Sequence, residues 1–97
     1  MSRGLGRIER AILAVIQREA EEGFGLMLCA ETLAQEIYRS RALPTRAQVI
    51  SVLRAMHSFT RKFPQYALAG GKGRERLWLY DRSDPRSVTL VFDEIAA

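Results

Sequence analysis

Between Pro44 and Lys62 the chain reads PTRAQVISVLRAMHSFTRK, a stretch with a marked start and two unlike sides. Thr45 followed by Gln48 fits the S/T-x-x-E/Q capping box, in which the two side chains satisfy backbone N–H groups left orphaned by the first helical turn. Pro44 disfavours helical geometry at Leu43 and so separates this helix from the one upstream. Turning each residue by about 100° puts Val49, Val52, Leu53, Met56 and Phe59 on one side, with Ile50 on its shoulder. Ala47, Gln48, Ser51, Arg54, Ala55 and Ser58 share the other. The first set is a core stripe. The second is small, polar and basic, and no acid follows Glu36 until Glu75. Such a face lies close to a phosphate backbone and still presents hydrogen-bonding tips.

Charge is laid out in blocks. Residues 1–37 carry four arginines against six acids, and residues 81–97 carry two arginines against four acids. Residues 38–80 hold nine basic side chains against Glu75 alone, so the formal net charge of +4 conceals a central block of +8. Charges within about a Debye length (about 8–10 Å) sum, which is what a polyanion-binding surface needs. Nucleic acid is therefore favoured as partner over a merely solvated basic face.

Other classes find less support. At 97 residues the chain is one domain with a modest core. A single cysteine, Cys29, excludes an internal disulfide and a cysteine-based zinc site, and suits a reducing, cytoplasmic setting. The apolar runs are far short of a membrane span, and Ala11–Ile16 is flanked by charges, unlike a secretory signal. His57, the one histidine, lies mid-helix at the edge of the apolar stripe, where packing explains it better than general-base chemistry. The Gly70–Gly73 turn lacks the Lys-Ser/Thr ending of a phosphate-binding loop. No catalytic residue, metal ligand or cofactor is assigned, and an enzyme is not expected.

The remaining elements follow from local patterns. Residues 1–6 form a flexible arm. Ile8, Ile12, Val15 and Ile16 give the buried side of a helix over Arg7–Glu22, closed by Gly23 as C-cap. Leu26-Met27-Leu28 reads as a short extended segment, and Cys29 falls at the N-cap of a second helix over Ala30–Arg39 with Leu33, Ala34 and Ile37 inward. Leu43 is the expected buried plug of the turn that follows. After Pro64, Tyr66–Ala69 is a strand, Gly70-Gly71-Lys72-Gly73 a turn, and Arg74–Asp81 the return strand, with either Leu77 and Leu79 or, on the other face, Trp78 toward the core. Ser83 and Pro85 mark the start of a last helix on which Val88, Val91, Phe92 and Ile95 recur at helical spacing.

Helix, extended segment, helix, turn, long basic helix, hairpin, helix: this order resembles the winged helix-turn-helix DNA-binding superfamily of prokaryotic type. ETLAQEIY stands for its second helix, TRAQVISVLRAM for its recognition helix and YALAGGKGRERLWLYD for its wing. The resemblance implies an α+β, mainly α, fold: a three-helix core, a β-hairpin wing over residues 65–81 and a C-terminal helix over 84–97. It also implies that the third helix, residues 45–62, enters the major groove of double-stranded DNA while the wing touches the backbone. Carried onto this chain, Arg46, Ala47, Gln48, Ser51 and Arg54 face the groove, Arg46 suiting guanine and Gln48 adenine. Arg41, Thr45, Arg61, Lys62, Lys72 and Arg74 hold phosphates, and Arg76 joins them in the DNA-binding set. A transcriptional regulator or a plasmid- or phage-borne control protein is the expected role. Dimerisation through the C-terminal helix and a monomeric state both stay open. Two other partners suit the same residues: a protein, docked on Trp78 and the third-helix face, or RNA, stacked on Tyr66, Trp78 or Tyr80.

Overall fold

A computed structural model of the chain describes residues 5–23, 25–39, 43–70 and 77–96. Four helices and three strands alternate as α1 (Arg7–Glu22), β1 (Met27–Cys29), α2 (Ala30–Tyr38), α3 (Arg46–Lys62), β2 (Tyr66–Gly70), β3 (Leu77–Asp81) and α4 (Pro85–Ala96). The fold is α+β and mainly helical, with one small antiparallel sheet ordered β1-β3-β2. Each helix and strand expected from the sequence has a counterpart, with the ends that can be compared within a residue of expectation; the expected start of the return strand, Arg74, lies outside the described residues. Of the expected arm only Leu5 and Gly6 are described, and the tip of the β2–β3 hairpin, residues 71–76, lies outside the described residues.

Local chemistry accounts for the helix ends. Thr45 Oγ1 accepts from the Gln48 N–H, and Gln48 Oε1 accepts from the Thr45 N–H at 2.9 Å, which completes the capping box. The Phe63 N–H still bonds to Phe59, and then Pro64 withholds the next donor, so α3 ends there. Gly23 caps α1 in the left-handed region at φ 75°. Cys29 occupies the N-cap of α2, where its Sγ bonds to the Thr32 hydroxyl at 3.1 Å and makes no capping bond to a backbone N–H. The start of α4 differs from expectation. Asp84, not Ser83, caps it, its carboxylate accepting from the Arg86 N–H, while Ser83 bonds back to Asp81. A carboxylate next to Pro85 is the better cap because it also meets the positive end of the helix dipole.

Strand alternation divides the sheet into two faces. Leu28, Leu79 and Leu68 lie in one row across β1, β3 and β2, and this row joins the core formed by the first three helices. Ile12, Leu33, Val52, Met56, Phe59 and Leu79 are all fully buried there. Each such side chain contributes about 1.5–3 kcal/mol through burial. Phe59 is central, its ring 4.7 Å from Phe63 and 5.6 Å from Tyr66. Met27, Tyr80 and Ala67 form the opposite row, where Phe92 of α4 meets Tyr80 edge to face at 5.8 Å. Two polar contacts hold α4 in place. The Leu26 N–H donates to the buried Ser87 Oγ, and the Arg86 guanidinium donates to the Gly23 carbonyl.

Leu43 is a correction. It is 83% exposed, not a buried plug, because the first three helices already fill the core beneath the turn.

Candidate nucleic-acid interface

The capping box fixes where α3 begins, and packing fixes which way it faces. Both α1 and α2 lie against it. Val52, Met56 and Phe59 are buried, and Val49, Leu53 and Ala55 are half-buried against the core. Ala55 and Ser58 turn toward α1 and α2, where a groove of about 610 Å³ also takes in Glu9, Ile37, Tyr38 and Arg54. The exposed residues of α3 are Arg46, Ala47, Ile50, Arg54, His57, Arg61 and Lys62, and all but Lys62 share one arc. It is turned by about a quarter revolution from the arc that periodicity implies. The small residues taken for a free face, Ser51, Ala55 and Ser58, are instead half-buried, Ala55 and Ser58 lining that groove.

Along this arc Arg46, Ile50 and Arg54 follow one another at i+4 spacing, continued by His57 and Arg61. From Arg46 to Arg61 the stripe is about 22 Å long at 1.5 Å per residue. The helix carries no acid. Among the described residues Arg46, Arg54 and Arg61 make no ion pair, so their charge is available to a partner.

The residues proposed from sequence divide into groups. Arg46, Ala47, Arg54 and Arg61 share the exposed arc. Thr45 and Gln48 stand at the start of α3, where Thr45 Oγ1 and Gln48 Oε1 are engaged in the cap. Ser51 is half-buried. Arg41, Lys72, Arg74 and Arg76 lie outside the described residues.

Lys62 is exposed but engaged. Its Nζ donates to Glu9 Oε1 at 2.9 Å, so part of its charge is met within the protein while the side chain stays 37% exposed. Glu9 is only 6% exposed and also accepts from the Gly6 N–H. Burial pushes its carboxyl up, but the bonds to Lys62 and the Gly6 N–H, with the nearby Ser58 hydroxyl, outweigh this and hold it below the usual carboxylate value. Glu9 Oε2 is buried without a hydrogen-bond partner among the described residues: Ser58 is near enough to favour the charge but not in bonding geometry.

Periodicity missed Ile50 and His57 as surface residues, since both border the apolar stripe. It also missed Glu9, whose partner lies 53 positions away. The aromatic side chains considered for RNA stacking are largely engaged: Tyr80 is buried and Tyr66 packs on Phe59. The apolar stripe of α4 is used on the sheet, with Val91 fully buried, and leaves Leu90 and Phe92 exposed at its two flanks.

Among the described residues no group of three or more His, Cys, Asp or Glu side chains could hold a metal ion, and no helix is long and apolar enough to cross a membrane. Comparison with protein-family models, with curated proteins and with solved structures finds no match for the chain.

Proposed function

We propose that this chain is a winged helix-turn-helix domain that binds double-stranded DNA in a sequence-specific way, as a transcriptional regulator or a plasmid- or phage-borne control protein does. The fold part of the reading is supported by the helix order, by the antiparallel order β1-β3-β2 and by the hairpin that follows α3. The observation that carries the function is the acid-free stripe of α3, on which Arg46, Arg54 and Arg61 are exposed and, among the described residues, unpaired. A helix 10–12 Å across fits a major groove about 12 Å wide, with base edges under its first turns and phosphates along its flanks. Arg46 and Arg54 would then reach bases or the nearest phosphates, and Arg61 the backbone. Leu90 and Phe92 are the side chains a homodimer through α4 would use.

Anisotropy of a labelled duplex titrated at several salt concentrations tests this. The expected result is binding whose log K falls against log salt by about 0.9 per phosphate contact. Arg46→Ala and Arg54→Ala together should weaken a selected site by about 1–3 kcal/mol for each residue that contacts a base. No duplex binding even at low salt overturns the reading.

A second reading keeps a protein partner in view. Ile50, on the basic stripe, is 39% exposed, and Leu43, ahead of the α3 cap, is 83% exposed. An acidic amphipathic segment would complement both features. That reading expects a defined complex with such a partner and no duplex binding at physiological salt.

A further inference from the structure

Ile50 is out of place on the arc it occupies. The large apolar residues of α3 otherwise turn inward: Val52, Met56 and Phe59 are buried, and Val49 and Leu53 half-buried. Ile50 is 39% exposed. Arg46 and Arg54 are its i−4 and i+4 neighbours on the same arc, and Ala47 beside it carries no side chain long enough to obstruct an approach. A single exposed aliphatic residue is ordinary on a protein surface. This one sits within a ladder otherwise made of cationic and polar groups suited to a polyanion, in the half of α3 that would enter the groove. On the floor of the major groove the apolar feature of the base edges is the C5 methyl of thymine.

We propose that Ile50 is a specificity-determining residue that packs on the C5 methyl of a thymine, flanked by Arg46 and Arg54 on bases or phosphates to either side. This inference rests on the DNA-binding reading above. Leu43 is not part of it, since it precedes the cap and lies off the stripe.

The test begins with selection of a preferred duplex from a random library. Each thymine of the selected site is then replaced by deoxyuridine, which removes the methyl and leaves every hydrogen-bonding group. Binding is measured for the wild-type protein and for Ile50→Ala. At one thymine the replacement is expected to weaken the wild-type protein about three- to five-fold, the loss of one buried methyl. Ile50→Ala is expected to be insensitive at that same position, with an unchanged circular dichroism spectrum. A selected duplex with no thymine whose methyl matters to the wild-type protein overturns the inference and leaves DNA binding intact. An equal loss in Ile50→Ala also overturns it, by assigning the methyl to another side chain. Failure to select any duplex overturns the DNA-binding reading itself, and this inference with it.

Discussion

Lys62 Nζ stands 2.9 Å from Glu9 Oε1, so the last turn of α3 is tied to the first turn of α1 by a charge pair that is buried on the acid's side. The contact partly neutralises one cation of the α3 surface, whereas Arg61, its neighbour in sequence, makes no ion pair among the described residues. Lys62→Met would strand a carboxylate that is 6% exposed. The expected cost is about 1–3 kcal/mol by chemical denaturation, less than for a fully buried pair because the Lys62 side chain is 37% exposed. The salt dependence of DNA binding should not change in this variant, whereas Arg61→Ala should flatten the slope by about 0.9. A Lys62 variant of normal stability with a flatter slope would put the ammonium on a phosphate instead.

The same pair sets a pH dependence. Folding holds the Glu9 carboxyl below its ordinary value of 4.5, against the upward push of burial. A group shifted this way stabilises the fold above its unfolded pKa and loses that contribution as pH falls through the lower folded value. Denaturation midpoints should therefore drop as pH falls below the ordinary value of 4.5 and through the lower folded one. Glu9→Gln should be less stable at neutral pH and show a shallower drop. Parallel pH profiles for the two proteins would rule out Glu9 as a source of the acid sensitivity.

Two glycines of the α1–β1 connection separate backbone strain from crowding. Gly23 at φ 75° has open space where a Cβ would be, so Gly23→Ala meets only the left-handed penalty, about 1 kcal/mol. Gly25 at φ 90° would place a Cβ 3.2 Å from the Ser87 backbone nitrogen and 3.3 Å from the Arg86 carbonyl carbon. Gly25→Ala must push α4 away from the loop as well, and about 2–4 kcal/mol is expected. Thermal melts of the two variants compare them directly, and equal losses would mean that α4 yields freely at this contact.

The start of α3 gives a prediction about stability as distinct from recognition. Thr45 Oγ1 caps the Gln48 N–H, so Thr45→Ala should cost about 1 kcal/mol. Its preferred DNA sequence should stay that of the wild-type protein, as should that of Gln48→Ala, since both side chains serve the helix end. Repeating the library selection with each variant checks this. A changed base preference in Gln48→Ala would show that its amide nitrogen reads a base while its oxygen caps the helix.

The elements of this chain were legible because the signals that make them are local. Thr45 and Gln48 lie in one turn, Gly23 needs no partner to adopt its conformation, and the apolar spacing of Ile12, Val15 and Ile16 already marks a buried face. The concentration of basic residues between Arg39 and Arg76 is equally a property of the sequence. Tertiary structure alone decided how that charge is presented. Periodicity describes one apolar stripe, but two helices pack on α3 and cover a wider arc, and a serine or alanine reads the same whether it faces water or a neighbouring helix. Ser51, Ala55 and Ser58 are consequently half-buried, while Ile50 and His57 face outward and Leu43 lies in solvent. Lys62 found Glu9 only because the fold brings positions 53 apart to hydrogen-bonding distance. Pairing of that kind depends on where whole helices lie, and no local pattern encodes it.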